Sequence, residues 1–222
     1  ILAPEATWIV MVREPVQSCE SWIRQPFNAS NYEQVAGRIA TMLFDIDDPA
    51  MNAQNAKGIR LEDLKLKPKL VIAALCDWMN IKHEDSLYEM TAQNKKWWGD
   101  QSTSSFHTAF GLSSIKRQVG DIFSDKDQYI LKTLFYPFCA KFRYVDEDLS
   151  QFKVDLQEIR PMIDQAFDFE KKIAASKQIC LDEFSKSGNY LYLRAALLDR
   201  WNVLEDCLTY PEMFDPLIVP VP

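Results

Sequence analysis

The chain of 222 residues contains few histidines, few glycines and no long apolar run. Its two histidines, His83 and His107, are too few for a histidine-rich metal site. Its six glycines are dispersed, so the chain carries no glycine-rich phosphate loop. No apolar stretch approaches the roughly 20 residues of a transmembrane helix, and the first residues lack the features of a signal peptide. The sequence therefore predicts neither a membrane span nor a secretory leader.

Basic charge is also in deficit, because 25 Lys and Arg residues stand against 32 Asp and Glu residues, for a net charge of −7. Nucleic-acid binders usually need a basic face, so nucleic acid is not an expected partner. No Cys-x-x-Cys pair occurs, and the five cysteines are widely spaced: Cys19, Cys76, Cys139, Cys180 and Cys207. This pattern favours buried thiols in a reducing compartment over disulfides or zinc, and it predicts a cytoplasmic location.

The chain does contain ample material for a core, since 47% of its residues are hydrophobic and 12% are aromatic. It opens with the apolar run Trp8–Val12, which predicts a central parallel strand that is covered on both faces. Arg13 and Pro15 end this run, and Ser21 follows eight residues after Arg13, about two turns into a predicted helix. Ligands of parallel sheets bind at the carboxyl ends of strands, so the Arg13 guanidinium and the Ser21 hydroxyl could hold one anion.

Local signals predict the boundaries of several helices. Pro26 predicts that the first helix ends near Gln25, because proline disfavours helix in the residue before it. Residues 31–44 show an apolar stripe and predict a second helix. Ser124 with Asp127 three residues later resembles a capping box, and a helix is expected after it through Ile130 and Phe138.

A second segment, Arg60-Leu61-Glu62-Asp63-Leu64, is expected to join a strand to a helix. Pro68 suits the first turn of the next helix, and Asn80 can end that helix in the left-handed conformation. The neighbouring acids Glu62 and Asp63 could serve as general acid and base, but anchoring of the strand–helix turn is the more typical role.

The third segment, residues 91–106, combines two tryptophans, two lysines and then a run of four hydroxyl side chains, residues 102–105, in one loop. Aromatic faces can stack on a purine, and Lys with Ser or Thr can hold phosphate. The alternative is that Trp97 and Trp98 only attach the loop to the core. His107 follows, and a structural donor is its expected role.

The three segments, in the order in which they occur along the chain, resemble segments of the bacterial-type sulfotransferases that use 3′-phosphoadenosine-5′-phosphosulfate (PAPS). Residues Val12–Val16 with Ser21-Trp22 are similar to the family's 3′-phosphate motif, and residues 94–106 to the loop that covers the nucleotide. Leu61 departs from the usual Tyr, and Asp100 stands where Asn is common. The positions that the resemblance assigns to the donor site are Arg13, Ser21, Lys95, Trp97, Gly99, Ser104 and Ser105.

The resemblance implies an α/β fold with a parallel sheet, the P-loop-type three-layer sulfotransferase architecture, over residues 1–145. Residues 146–222 are then a helical C-terminal extension with one long helix over Asp155–Phe184, another over Tyr190–Leu208, and a Pro-rich tail lying against the body. These apolar helices are expected to pack on the α/β body. A partner subunit, as in a homo-oligomer, and an acceptor are the open alternatives.

The implied activity is transfer of a sulfuryl group from PAPS to a hydroxyl of a small molecule or carbohydrate, without a metal. In the family, the 5′-phosphosulfate loop and the catalytic base usually precede the Arg/Ser motif. Neither is found here, which suggests that the sequence lacks its N-terminal portion, and no base is assigned. Two alternatives stay open: a non-catalytic sulfotransferase-like scaffold or interaction protein, and another nucleotide-binding α/β enzyme such as a kinase.

Overall fold

A computed structural model of the chain describes residues 6–45, 55–89, 91–92, 95–96, 110–112, 115, 119–206 and 213–220. These residues form two compact units. The sheet unit contains the described residues of Ile1–Arg13, Ala53–Arg117 and Phe214–Pro222. The helical unit contains those of Glu14–Asn52 and Gln118–Met213. The predicted division at residue 145 rests on where the resemblance ends, and it stays a prediction.

The described chain is mostly helical and contains a small parallel sheet, which is compatible with the predicted α/β class. Its strands are β1 (Trp8–Val12), β2 (Ala56–Arg60), β3 (Thr91–Ala92), β4 (Lys95–Lys96) and β5 (Asp215–Pro216). Its helices are α1 (Pro15–Asn28), α2 (Tyr32–Asp45), α3 (Leu61–Leu66), α4 (Pro68–Met79), α5 (Asp125–Leu134), α6 (Tyr136–Lys141), α7 (Leu149–Ile163), α8 (Asp168–Ser176), α9 (Leu181–Phe184) and α10 (Gly188–Asp206). Among these described helices, none is both long and apolar enough to cross a membrane.

The parallel sheet of the sheet unit has the strand order β1-β2-β5. The register places Trp8 opposite Ala56 and Val12 opposite Arg60. The Pro-rich tail adds the third strand, because β5 pairs with β2 and Leu217 donates its backbone N–H to the Gly58 carbonyl at 2.8 Å. The tail therefore does lie against the body of this unit, although its strand pairing was not predicted. Strands β3 and β4 form a separate antiparallel ladder.

Strand β1 exists where the apolar run predicts it, but the prediction that it is central and covered on both faces is wrong. Among the described strands, β1 pairs with β2 alone. Trp8, Ile9 and Met11 are 43%, 40% and 51% exposed, and only Val12 is buried. An apolar run favours the extended conformation at every residue, but burial depends on neighbouring elements that the run itself does not specify.

The helical unit has one continuous apolar core. Helix α10 packs against α2 and α7, helix α5 packs against α7, and α1 packs against both α2 and α5. The largest completely buried side chains are aromatic: Phe123, Phe135, Phe142, Phe167 and Phe169. At about 25 cal/mol for each Å² of apolar surface removed from water, such side chains supply most of the driving force for folding this unit.

Three predicted helix boundaries are wrong in this unit. Helix α1 continues through Pro26, and the Trp22 carbonyl, whose helical partner would be the missing N–H of Pro26, accepts a hydrogen bond from the Arg38 guanidinium instead. The helix expected through Phe138 divides into α5 and α6 at Phe135, two residues before Pro137. The long helix expected over residues 155–184 is three helices, α7, α8 and α9.

Buried polar side chains hold these shorter helices together. Asp127, which is fully buried, completes the predicted capping box with Ser124 at the start of α5. Its carboxylate also accepts the backbone N–H groups of Asp168 and Phe169 at 2.9 and 3.1 Å, so one carboxylate caps both α5 and α8. Glu170 accepts two hydrogen bonds from Arg194 at 2.9 and 3.0 Å.

Candidate functional site

The predicted phosphate motif lies at a strand–turn–helix junction. Arg13 is half-buried and directly follows β1, and Glu14 is the N-cap of α1. The Glu14 carboxylate accepts the backbone N–H groups of Val16 and Gln17 at 3.2 and 2.5 Å, and Pro15 occupies the first helical turn. The start of α1 is therefore capped locally, and a carboxylate of the chain itself already interacts with the positive end of the α1 dipole.

Ser21 lies in the second turn of α1 and is half-buried. It follows Glu14 by seven residues, so the helical period of 3.6 residues places both on the same side of α1, roughly 10 Å apart along its axis. Arg13 belongs to the sheet unit and Ser21 to the helical unit. Each stands in the local conformation that the motif requires, one at a strand end and the other within a helix.

Next to Ser21, Glu20 attaches a distant loop segment to α1. Its carboxylate is only 2% exposed and accepts the backbone N–H groups of Gly120, Asp121 and Phe123 at 3.0, 3.3 and 3.2 Å. Gly120 has a φ of 126°, a conformation that favours glycine. Arg24 completes the arrangement with ion pairs to Glu20 at 3.4 Å and to Asp121 at 2.8 Å.

The role of Glu20 was not predicted from the sequence, although a signal was present. Glu20 lies between Val16 and Ile23 at helical spacing, so a carboxylate interrupts the apolar stripe of α1. Buried carboxylates are almost always hydrogen-bonded or paired, which makes such an interruption informative. The identity of the partner, about 100 residues away, could not have been read from the same signal.

The predicted nucleotide-covering loop is described only at its start. Lys95 lies on β4, where the backbone of Ala92 and Lys95 is paired. Trp97, Gly99, Ser104 and Ser105, and with them His107, lie outside the described residues. Their assignment to the nucleotide stays a prediction. The described chain resumes continuously at Val119, which is where Glu20 holds it to α1.

The acidic pair Glu62-Asp63 lies in the first turn of α3 rather than at a strand end. Asp63 is 4% exposed and forms an ion pair with Arg60, the last residue of β2, at 3.5 Å. This contact joins β2 to α3 and confirms the predicted anchoring role for Asp63. A carboxylate held in this way is poorly suited to exchange protons with a substrate.

Three of the described thiols are unsuited to nucleophilic chemistry. Cys19, Cys76 and Cys139 are buried, whereas Cys180 is exposed. Burial raises the pKa of the Cys19 thiol, and the nearby carboxylates of Glu14 and Glu20 raise it further. Burial raises the pKa of Cys139 in the same way. The thiolate is the reactive form, so Cys19 and Cys139 are structural residues.

No family model matches this chain, and neither a curated protein nor a solved structure matches it. The feature of the described chain that is most specific for a function is the continuous stretch from β1 to α1, in which half-buried Arg13 follows the strand and half-buried Ser21 lies within the helix.

Proposed function

We propose that this protein transfers a sulfuryl group from PAPS to a hydroxyl of a small molecule or carbohydrate. The observation that carries the proposal is the strand–turn–helix context of Arg13 and Ser21. A short motif gains weight when the structural context that it requires is present around it. Here an apolar strand in a parallel ladder ends at Arg13, and the helix that contains Ser21 begins at Pro15.

In this proposal, Arg13 and Ser21 recognise the 3′-phosphate of the donor. The guanidinium supplies paired N–H groups to two phosphate oxygens, and the hydroxyl donates one further hydrogen bond. The Glu14 carboxylate occupies the N-terminal N–H groups of α1. Side chains rather than the helix terminus therefore supply the attraction for the phosphate at this position.

The proposed reaction needs an in-line attack. The acceptor oxygen forms a bond to sulfur while the bond between sulfur and the phosphate oxygen breaks, and 3′-phosphoadenosine-5′-phosphate leaves. The proton of the acceptor hydroxyl passes to a base, to which we assign no residue, and donors stabilise the charge on the transferring oxygens.

The proposal also includes the fold, the loop that covers the nucleotide, the C-terminal helices and the location of the protein in the cell. Residues 1–145 take the three-layer sulfotransferase fold, and Lys95, Trp97, Gly99, Ser104 and Ser105 cover the nucleotide. Residues 146–222 are the extension, whose helices could join two copies in a homo-oligomer. A cytoplasmic location agrees with the buried free thiols.

Calorimetric titration with 3′,5′-adenosine bisphosphate tests the proposal, using the protein expressed from its full gene. We expect micromolar binding, which Arg13→Ala weakens by about 10- to 100-fold, because a hydrogen bond to a charged group contributes about 1.5–3 kcal/mol. Ser21→Ala should weaken binding less, since it removes one neutral donor. Arg160→Ala and Ser18→Ala are matched controls, on α7 and on α1 respectively, and should bind as the wild type does.

Absence of binding by the folded full-length protein would contradict the proposal and favour the non-catalytic scaffold. Equal binding of a nucleoside triphosphate and of 3′,5′-adenosine bisphosphate would favour a kinase-like enzyme instead. If binding occurs but Arg13→Ala leaves it unchanged, the nucleotide site is somewhere other than the β1–α1 junction.

A further inference from the structure

The helical unit contains a cavity of about 540 Å³ that the proposed donor site does not use. Its walls come from the start of α1, from α5 and α6, from the segment before α7, and from α7 itself. Cavities of about 300–1,000 Å³ are typical of small-molecule sites. All of the lining residues belong to the helical unit, so the cavity lies within one compact body.

Four aromatic side chains line this cavity: Tyr129, Tyr136, Tyr144 and Phe152. The rings of Tyr136 and Phe152 are stacked, with centroids 4.5 Å apart and planes 11° apart. The Tyr136 hydroxyl accepts the backbone N–H of Asp148, the N-cap of α7, so its ring is fixed in position. Rigid aromatic walls favour ligands with a flat or compact apolar body, because little side-chain freedom is lost on binding.

The charged groups of the cavity favour a cation. Glu14 and Asp155 line it and are half-buried, whereas the single lysine, Lys132, is exposed and its charge is screened by water. Two carboxylates therefore lie in the less hydrated part of the cavity beside four aromatic rings. Carboxylates attract cations directly, and the faces of aromatic rings attract them through the ring quadrupole.

The surroundings of Tyr129 strengthen this charge argument. Its hydroxyl lies 2.9 Å from a carboxylate oxygen of Asp155 and 2.9 Å from one of Glu158. Burial and hydrogen bonding to these two carboxylates raise the pKa of Tyr129, so the phenol keeps its proton. One hydroxyl proton can serve only one carboxylate at a time, and the Gln151 side-chain amide, which donates to the same Asp155 oxygen at 2.9 Å, is also a neutral donor that leaves the negative charge in place. An additional positive charge near Asp155 would therefore be stabilised.

We propose that this cavity binds an organic cation, namely an amine or quaternary ammonium group attached to a compact aromatic or aliphatic body. The body lies among Tyr136, Tyr144 and Phe152, and the cationic group lies near Asp155 and Glu14. This site is independent of the sulfuryl donor, so it would exist whether or not the proposed transferase activity does.

Three probes of similar size test the proposal by calorimetric titration of the full chain: 2-phenylethylamine, 2-phenylethanol and 3-phenylpropionate. We expect the amine to bind at least about tenfold more tightly than the anion, which corresponds to about 1.4 kcal/mol. Neutral 2-phenylethanol should fall between them. Equal affinities for all three probes, or no binding of the amine, would overturn the proposal.

Two pairs of variants locate the site. Val145 lines the cavity and is 41% exposed, so Val145→Trp should obstruct it without disturbing the core. Val154→Trp, at a 51% exposed position on α7 away from the cavity wall, is the matched control. Asp155→Asn should lower the ratio of amine affinity to alcohol affinity by about tenfold. Asp164→Asn, at the end of the same helix, should leave this ratio unchanged.

Thermal unfolding followed by circular dichroism shows whether each variant still folds. Amine binding that survives Val145→Trp in a folded protein, or an amine preference that Asp155→Asn leaves intact, would overturn the assignment. Because none of these probes contains phosphate or sulfate, failure here leaves the proposed donor site untouched, and failure of nucleotide binding leaves this proposal untouched.

Discussion

Glu20 stands on α1 among apolar residues, with Val16 about one turn before it and Ile23 about one turn after it. Its three backbone hydrogen bonds to Gly120, Asp121 and Phe123 are charge-assisted, and the carboxylate is almost completely removed from water. Without the carboxylate, the buried N–H of Phe123 and the part-buried N–H groups of Gly120 and Asp121 would lose their partner. One residue of α1 therefore determines the course of a segment that is 100 residues away in sequence.

Replacement of Glu20 tests this role. Glu20→Ala should lower the free energy of unfolding by about 2–3 kcal/mol, because a buried donor left without a partner, here the Phe123 N–H, costs about 1–3 kcal/mol and the two part-buried donors add less. Urea denaturation followed by tryptophan fluorescence measures the change. Glu147→Ala, which removes an exposed carboxylate before α7, should change stability by less than about 0.5 kcal/mol. A similar small loss for both variants would contradict the role given to Glu20.

The buried thiols predict a loss of stability at high pH. Burial raises the folded-state pKa of Cys19 and Cys139 above the unfolded value of 9.0. Their contribution is therefore fully present below pH 9.0 and is lost as the pH rises toward the raised folded pKa, because only the unfolded thiols ionise there. Above pH 9.0, each of these two thiols should lower the free energy of unfolding by up to about 1.4 kcal/mol for each further pH unit.

The free energy of unfolding, measured in urea between about pH 8 and about pH 10, checks this expectation. Cys19→Ala and Cys139→Ala should each reduce the steepness of the decline. Cys180→Ala serves as the control for replacement of a cysteine, because Cys180 is exposed in the folded protein. Parallel profiles for all of these proteins would show that the two thiols do not contribute.

Among the helices, the important contacts are those in which a side chain of one helix hydrogen-bonds to the backbone at the end of another. Asp127 caps α5 through Ser124 and caps α8 through Asp168 and Phe169. Arg194 of α10 reaches the carbonyl of Ile163 at 2.9 Å as well as Glu170 of α8. The ends of α7 and α8 are thus satisfied by side chains from other helices, in addition to their own local caps.

Asp127→Ala should therefore destabilise more than the loss of a single helix cap. Loss of an ordinary N-cap costs about 1 kcal/mol, whereas this change removes carboxylate hydrogen bonds from the N-termini of two helices at once, and we expect about 3 kcal/mol. Asp127→Asn keeps one acceptor oxygen and should fall between Asp127→Ala and the wild type. Asp125→Ala, at an exposed first-turn position of α5, is the control. Equal urea midpoints for Asp125→Ala and Asp127→Ala would contradict the double cap.

At this scale, the correct predictions from the sequence were those that depend on residues close to each other in the chain. Pro68 begins α4, Asn80 ends it with a φ of 51°, and Ser124 and Asp127 form the capping box, because the interacting residues are within a few positions of each other. The three-helix division of residues 149–184 was missed because it depends on contacts between α8 and distant residues such as Asp127 and Arg194. Pairing of β5 with β2 was missed for the same reason.

For the candidate site, the sequence identified the motif residues but not what supports them. Arg13 and Ser21 stand at a strand end and in a helix, as the spacing predicts. Glu14, the cap, and Glu20, the loop anchor, were not recognised, because their roles depend on burial and on partners rather than on residue type. The exposure of Trp8, Ile9 and Met11 could not be predicted, because the run does not identify its neighbours.

At the scale of the whole molecule, the chain alternates between its two units. The described residues of 6–13, 55–115 and 214–220 belong to the sheet unit, and those of 14–45 and 119–213 belong to the helical unit. The sheet unit is assembled from three separate stretches, and β1, β2 and β5 each come from a different one. Local sequence signals are weakest for the parallel sheet, because both of its strand pairings, β1 with β2 and β2 with β5, are nonlocal.

The central claim is that Arg13 recognises the 3′-phosphate of an adenosine nucleotide. The most direct test is a thermodynamic cycle, in which calorimetry measures the affinities of 3′,5′-adenosine bisphosphate and of 5′-AMP for the wild type and for Arg13→Ala. We predict that the wild type prefers the bisphosphate by about 10- to 100-fold and that Arg13→Ala abolishes most of this preference. An equal preference in both proteins, or none in the wild type, would contradict the claim.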